Sequence, residues 1–211
     1  ANAGVILPLD DFNGFLREVT EQHGSLLIID EVMTGFRMSR AGWYGLLQPT
    51  WKPDLVTFGK VMGGGMPMAA FGGKKEIMSK LAPLGNVYQA GTLSGNPVAV
   101  AAGLKTLEIV SRQGFYECLS EQTQKLMQGL KQAANKANLP FAVDSVGGMF
   151  GFYFADQVPT SYEAVTKTNI EVFKKFFHFM LDEGVYLETF GNHVRVVATA
   201  QGFDIEEYDH D

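Results

Sequence analysis

The chain has 211 residues, of which 46% are hydrophobic and 19% charged. That composition excludes a disordered chain, and the single cysteine, Cys118, excludes a disulfide scaffold. The 17 basic and 23 acidic residues give a net charge of −6, and no basic run interleaves with aromatic residues, which disfavours nucleic-acid binding. Without a long apolar run or a signal-peptide pattern, we expect a soluble, cytoplasmic protein that does not span a membrane. The sequence opens on Ala1 and reads as the middle of a domain, so we expect a fragment or a processed product.

The first half of the sequence alternates helical patterns with short apolar runs. Apolar residues at helical spacing predict a helix over 8–23, and Asn96-Pro97 supplies the cap and first turn of another over 98–112. Short apolar runs between these helices predict strands at 25–29, 54–58 and 67–72. Strands that are apolar on both faces and alternate with helices are typical of a parallel α/β sheet.

The second half of the sequence has a different character. Its patterns predict, in order, a helix over 115–138, a strand pair over 141–154, a helix over 161–183, and short strands at 185–187 and 193–197. Gly184 stands where the glycine that ends a helix is expected. We therefore predict part of a larger α/β domain over 1–113 and a smaller α+β domain over 114–211.

Three segments lie where a parallel sheet binds ligands, beyond the carboxyl ends of its strands. They are Asp30-Glu31-Val32, then Lys60 with three glycines nearby, and then the Gly91–Asn96 loop that leads into a helix. Taken singly, a carboxylate pair is most often a helix cap, a lysine is solvated, and a Gly/Ser loop is a turn. Together they offer an amine for an aldehyde, a carboxylate for a ring nitrogen and backbone N–H groups for a phosphate. Pyridoxal phosphate needs all three.

Other clusters of polar or aromatic residues favour structural roles. No metal site is expected from the histidines, which are scattered along the chain at positions 23, 178, 193 and 210. The acidic C-terminal residues read as a solvated tail, and Cys118 as a thiol without a redox role. A packed helix face is the simplest interpretation of the aromatic cluster Phe173, Phe176, Phe177, Phe179 and Met180.

The three candidate segments also resemble a known family. They read LLIIDEVMTGFR (26–37), PDLVTFGKVMGGGMP (53–67) and YQAGTLSGNP (88–97). In these motifs the chain resembles the class III aminotransferase family of pyridoxal-phosphate enzymes, and within it the aminomutase branch. The likeness runs from residue 1 to about Leu187. It implies a fold-type-I α/β structure, with part of the mainly parallel large-domain sheet followed by a smaller domain, and without the family's N-terminal half.

The resemblance also implies roles for individual residues. By position in the family motifs, Lys60 would be the catalytic Schiff-base lysine and Asp30 the partner of the pyridine nitrogen. Val32 would pack against the ring, and Asn2 would lie near the cofactor. Gly91 and Thr92 would bind the phosphate, from the neighbouring subunit of a homodimer.

The implied reaction moves an amino group within one molecule, converting (S)-4-amino-5-oxopentanoate to the tetrapyrrole precursor 5-aminolevulinate. The cofactor would begin this cycle in its pyridoxamine phosphate form. Two alternatives remain open on the sequence. One is an ω-aminotransferase of the same class that uses a keto acid, and the other is a non-catalytic fragment of the fold. From Glu188 onward the sequence no longer follows the family pattern.

Overall fold

The computed structural model describes residues 4–190 and 193–196, and these divide into two compact units. The first unit comprises Val5–Gly129 with Ser145–Phe150, and the second is formed mainly by Leu130–Asp144 and the chain from Gly151 onward. The domain boundary predicted at residues 113 and 114 stays a prediction. No helix in the described part of the chain combines the length and hydropathy that a membrane crossing requires.

Up to Val110, the first unit contains four α-helices and three strands. In chain order they are α1 (Phe12–Gln22), β1 (Ile28–Asp30), α2 (Gly42–Leu47), β2 (Leu55–Phe58), β3 (Ala70–Gly73), α3 (Lys75–Met78) and α4 (Pro97–Val110). Asp11 caps α1 by accepting a hydrogen bond from the Gly14 N–H at 3.1 Å, so this helix begins later than its predicted start. Helix α4 begins at Pro97 behind the Asn96 cap, as predicted.

The three strands form one sheet in the order β1-β2-β3. Strands β1 and β2 are parallel, with Ile28 opposite Leu55 and Asp30 opposite Thr57. Strand β3 pairs with β2 in the antiparallel direction. The predicted α/β class is confirmed, whereas the described sheet is mixed. The connection 59–69 is too short for the crossover that a parallel neighbour needs, which explains the antiparallel pairing.

The remaining elements are α5 (Phe115–Lys136), β4 (Ala142–Val146), β5 (Met149–Tyr153), α6 (Tyr162–Thr166), α7 (Ile170–Asp182), β6 (Leu187–Phe190) and β7 (His193–Val196). The single helix predicted over 161–183 is wrong, because two helices occupy that range. The Asn169 side chain accepts a hydrogen bond from the Val172 N–H at 3.1 Å, while its own N–H donates to the Phe154 carbonyl. Asn169 therefore starts a new helix instead of continuing the old one.

Helix α7 ends at the predicted glycine. The Gly184 N–H donates to the Leu181 carbonyl at 2.9 Å, and the Val185 N–H donates to the Met180 carbonyl at 2.8 Å. These two bonds form a Schellman motif, whose residue after the cap has a positive φ, here +78°. The turn returns the chain toward β6, which pairs with β7 in the antiparallel direction.

Four of the five residues in the cluster predicted as a helix face pack against a hydrophobic core in the second unit. Phe152, Phe154 and Leu187 are its buried centre. The α7 residues that pack against this centre are Val172, Phe173, Phe176, Phe177 and Met180. Phe179 points away from it and is 68% exposed. The helix therefore buries one face of aromatic side chains, as the sequence predicted, with Phe179 as the exception.

A buried ion-pair network fastens the first unit at the amino-terminal end of β2. The Asp54 carboxylate, only 3% exposed, accepts bonds from Arg17 at 2.8 Å, from Lys74 at 2.6 Å and from the Leu27 N–H at 2.7 Å. The hydrogen bond from Lys74, followed by that from Leu27, holds the pKa of Asp54 well below its usual range. The network ties α1, β1, β2 and the end of β3 together.

This network predicts an acid-sensitive stability. A carboxylate whose pKa is depressed in the folded state stabilises that state at neutral pH, and the contribution is lost as the pH falls below the ordinary pKa. We expect Asp54→Asn to lower the free energy of unfolding at pH 7 by about 3 kcal/mol, because buried Arg17 loses its counter-charge. The variant should also show a shallower fall in stability below about pH 4 than we expect of the unmodified protein.

Denaturant unfolding between pH 2 and pH 7 measures both effects. Glu108→Gln is the matched control, because Glu108 also forms ion pairs, with Lys105 and Arg112, but lies exposed on α4. Equal losses of stability in the two variants, or an unchanged acid slope in Asp54→Asn, would contradict the assignment.

Candidate functional site

The parallel pairing of β1 with β2 brings two of the predicted site residues to one edge of the sheet. Asp30 is the last residue of β1 and lies opposite Thr57, and the next residue along, Glu31, donates its N–H to the Thr57 carbonyl at 2.9 Å. Lys60 follows Thr57 by three residues. Because the two strands are parallel, the carboxylate and the amine emerge at the same edge of the sheet. Adjacent strands lie about 4.8 Å apart, so the two groups emerge from neighbouring positions.

Lys60 has an unusual backbone conformation. Its φ is +47°, in the left-handed region, and it begins a 3₁₀ helix over Lys60–Gly63. This region costs a residue other than glycine roughly 1 kcal/mol or more, and such outliers cluster at functional sites. The Lys60 side chain is exposed, rather than packed among the neighbouring glycines, and forms no hydrogen bond or ion pair with the described residues.

Helix α4 supports the turn that carries Lys60. Gly64 ends the 3₁₀ helix with a φ of +60°. A Cβ at this position would collide with the Thr106 hydroxyl and lie 3.1 Å from the Ala102 carbonyl oxygen. Because the turn lies this close to α4, only a glycine fits at position 64.

Asp30 and Val32 lie beside this turn. One oxygen of the exposed Asp30 carboxylate accepts a hydrogen bond from the Val32 N–H at 2.9 Å, and the other has no partner among the described residues. Val32 lies against the peptide that precedes Lys60, since a Cβ at Gly59 would be 3.3 Å from Val32 Cγ1. The strand end thus presents a carboxylate oxygen and an apolar branched side chain next to the lysine.

A cavity of about 720 Å³ opens beside these residues. Val32 and Gly91 both line it, together with Thr57, Phe58 and Asn96 among others, whereas Asp30, Lys60 and Thr92 are outside its lining. The volume falls within the range of small-molecule sites, about 300 to 1,000 Å³. The structure therefore brings Val32 and the Gly91 loop to one cavity. Asn2 lies outside the described residues.

The Gly91 loop fits an anion. Asn96 caps α4 by accepting bonds from the Val98 and Ala99 N–H groups at 3.0 and 3.2 Å. Gly91 and Thr92 are exposed, and their N–H groups donate to no acceptor in the described part of the chain. These N–H groups near a helix N-terminus are suited to a phosphate.

Glu31 has a different role from its neighbour Asp30. Its carboxylate is 1% exposed and accepts bonds from the N–H groups of Trp43 at 2.9 Å and Tyr44 at 2.7 Å, and from the Thr34 hydroxyl. The helix-cap interpretation is therefore correct for Glu31, which caps α2, while Asp30 remains free for a ligand. The sequence patterns did not predict α2 and so gave no partner for Glu31.

Within the described residues, no three or more His, Cys, Asp or Glu side chains are grouped closely enough to hold a metal ion. His210 and the acidic residues from Asp204 onward lie outside that part of the chain, as do the side-chain surroundings of His193.

Comparison with known proteins identifies relatives along most of the chain. The family model described as aminotransferase class-III matches residues 1–209. A glutamate-1-semialdehyde 2,1-aminomutase from Polynucleobacter asymbioticus is 75% identical over 186 residues, which cover 88% of this chain and 42% of that protein. The protein of the same name from Neisseria meningitidis serogroup C is 58% identical over 184 residues, which cover 87% of this chain and 43% of that protein. The chain thus spans about two fifths of the length of the curated relatives it matches.

Solved structures share the fold. A glutamate-1-semialdehyde aminomutase from Pseudomonas aeruginosa, a Lys→Ala variant in complex with PMP, superposes with a TM-score of 0.78 at 26% identity. It aligns with 93% of this chain and 45% of its own. A β-phenylalanine aminotransferase from Variovorax paradoxus gives a TM-score of 0.77 at 28% identity, with the same coverage of 93% and 45%.

The close approach of the lysine turn to α4 predicts a difference between two neighbouring glycines. Gly64 and Gly65 both have positive φ, +60° and +89°, but a Cβ at Gly65 would meet nothing within 4 Å. Both alanine variants should lose about 1 kcal/mol of unfolding free energy through backbone strain. Gly64→Ala should lose at least about 1 kcal/mol more, because its Cβ collides with α4. Thermal or denaturant unfolding measures the difference, and equal losses would show that the turn does not depend on α4.

Proposed function

We propose that this chain, which belongs to the class-III aminotransferase family, forms part of an enzyme that converts (S)-4-amino-5-oxopentanoate to 5-aminolevulinate. The observation that carries the proposal is the placement of Asp30 and Lys60 at one edge of the parallel β1-β2 pair, within a sequence 75% identical to a glutamate-1-semialdehyde 2,1-aminomutase. Because the chain spans about two fifths of such relatives, the activity is proposed for the whole protein.

The residues at this edge of the sheet fit pyridoxal phosphate. The unbonded Asp30 oxygen can pair with the pyridine nitrogen, Val32 can pack against the ring, and the Lys60 amine can bond to the aldehyde carbon. The free N–H groups of Gly91 and Thr92 can bind the phosphate of a neighbouring subunit's cofactor, as the family resemblance implies. Asn2 is proposed near the cofactor from the family motif alone. The cofactor, alternating between its pyridoxal and pyridoxamine forms, supplies an electron-withdrawing ring and carries the amino group.

Asp30 and Lys60 have separate chemical tasks in this proposal. A carboxylate next to a ring nitrogen favours the protonated nitrogen, because opposite charges a few ångströms apart stabilise each other. Lys60 is the base and acid of this chain, because its amine can take a proton from one carbon and deliver it to another. Both tasks require that the two groups stay at one edge of the sheet.

The sequence, rather than the fold, favours an aminomutase over an aminotransferase. The structures that superpose include both kinds of enzyme, with TM-scores of 0.78 and 0.77. Fold similarity therefore does not separate a transfer within one molecule from a transfer between two. The relatives that share 75% and 58% of the aligned residues carry the aminomutase name, which supports the intramolecular reaction.

A homodimer is proposed as the working form, in the cytoplasm. Large apolar side chains around the Gly91 loop are exposed in the single chain, above all Leu84 and Tyr88, each 84% exposed. A second copy that covered these side chains would bring its Gly91 and Thr92 to the cofactor of the first, as the family resemblance implies.

Covalent labelling tests whether Lys60 holds the cofactor. Incubation with pyridoxal phosphate, followed by borohydride reduction and mass spectrometry of peptides, should place a pyridoxyl group on Lys60. Lys60→Ala should abolish this label, because no other amine follows a strand at this edge of the sheet in the described residues. Lys125→Ala, which removes an exposed lysine of α5, should leave it unchanged. A label spread over several lysines, or one retained in Lys60→Ala, would contradict the assignment.

A single-substrate assay tests the reaction. With the cofactor supplied, the protein should form 5-aminolevulinate from the semialdehyde alone, and added keto acid should not be required. Asp30→Ala should keep the Lys60 label but lose turnover by at least about a hundredfold, because the ring nitrogen loses its charged partner. A strict requirement for a keto acid would favour the ω-aminotransferase. Labelling without any turnover would favour a non-catalytic member of the fold.

A further inference from the structure

We propose that Glu31 is a positioning residue, which fixes Asp30 and Val32 by fastening the end of β1 to the first turn of α2. This inference rests on the proposed function, since it concerns how the cofactor-binding residues are held. Glu31 itself does not face the ligand, because its carboxylate is enclosed by α2 and Thr34. Its effect on the cofactor is therefore exerted through its neighbours in the chain.

The Glu31 carboxylate has a partner for each of its oxygens. One oxygen accepts from the Tyr44 N–H at 2.7 Å, and the other accepts from the Trp43 N–H at 2.9 Å and from the Thr34 hydroxyl. A buried acid keeps its charge only when donors compensate for the lost water, and here backbone and hydroxyl donors do so. A negative charge at this helix N-terminus also interacts favourably with the helix dipole.

The start of α2 is shaped around this carboxylate. Gly42, the first residue of α2, has a φ of +67°, and a Cβ at this position would collide with both oxygens and the carboxyl carbon of Glu31. Any other residue at position 42 would therefore push the carboxylate away from the N–H groups of Trp43 and Tyr44. The glycine and the acid form one packing unit.

The backbone of Glu31 connects this unit to the site. Its N–H donates to the Thr57 carbonyl at 2.9 Å, and its carbonyl accepts from the Gly35 N–H at 2.7 Å. Asp30 precedes it, Val32 follows it, and these two neighbours are joined by their own hydrogen bond of 2.9 Å. A movement of Glu31 therefore moves the Asp30 carboxylate and the Val32 side chain together, relative to the lysine turn after β2.

The test compares the Glu31→Gln variant with the unmodified protein, and the whole protein is used in both cases. Glutamine has nearly the same shape but only one acceptor oxygen, so its NH₂ group would face the backbone N–H groups of α2. Pyridoxal phosphate is titrated and followed by its visible absorption, and the free energy of unfolding is measured in parallel. We expect the Kd for the cofactor to rise about tenfold or more, because one buried N–H group loses its acceptor and the strand end shifts.

Asp54→Asn is the matched control for stability. It weakens the same sheet at the amino-terminal end of β2, away from Asp30 and Lys60. At a temperature where all variants are folded, Asp54→Asn should bind the cofactor as the unmodified protein does. The visible absorption band of the bound cofactor is lost as the pH rises, and Glu31→Gln should raise the pH at which half of the band is lost. The reason is that a displaced Asp30 no longer keeps the ring positively charged. Equal cofactor affinities and equal midpoints in the two variants would overturn the proposal.

A second variant covers the case in which Glu31→Gln does not fold. Thr34→Val removes only the hydroxyl that donates to Glu31 and keeps the shape of the side chain. A rise in the Kd for the cofactor that is smaller than in Glu31→Gln, together with an upward shift of the pH midpoint of the absorption band, would support the positioning role. An unchanged Kd and an unchanged midpoint would overturn it. Labelling of Lys60 in the unmodified protein is measured first, so that failure of the proposed function is distinguished from failure of this inference.

Discussion

The parallel pairing of β1 with β2 is the constraint on which the rest of the site depends. It sets Asp30 opposite Thr57, so that a carboxylate and, three residues after Thr57, a lysine leave neighbouring strands at the same edge. In an antiparallel pair the carboxyl ends of the two strands would lie at opposite edges, and the two groups would be separated by the length of the strands. The chemistry proposed for this protein therefore begins with the direction of two short strands.

Each side of that pairing is held by a helix outside the sheet. On the β1 side, the buried Glu31 carboxylate binds the first turn of α2, and Gly42 leaves room for it. On the β2 side, the turn that carries Lys60 packs against α4 through Gly64. The amino-terminal end of the same sheet is fastened independently by the Asp54 network. The stabilising Asp54 network and the proposed ligand-binding residues thus lie at opposite ends of β2. Variants at the two ends can therefore separate a loss of stability from a loss of cofactor binding.

Much of this arrangement could be predicted from the sequence, where local signals are strong. Asn96-Pro97 begins α4 and Gly184 ends α7, because capping depends on residues close in the chain. Interactions between distant residues could not be predicted in this way. The antiparallel direction of β3 follows from the short connection after β2, and the break at Asn169 depends on a bond to the Phe154 carbonyl. For the same reason, the sequence left open whether Asp30 and Glu31 cap a helix or bind a ligand. The backbone N–H partners of Glu31 lie 12 and 13 residues away, on a helix that no pattern indicated.

The most direct measurement is a crystal structure of the protein grown with pyridoxal phosphate. We expect continuous density from the Lys60 amine to the cofactor, and an Asp30 oxygen within about 2.6 to 3.2 Å of the pyridine nitrogen. We also expect Val32 to contact the ring. A ring bound elsewhere, or one whose nitrogen faces solvent while Asp30 stays turned away from it, would contradict the proposed site.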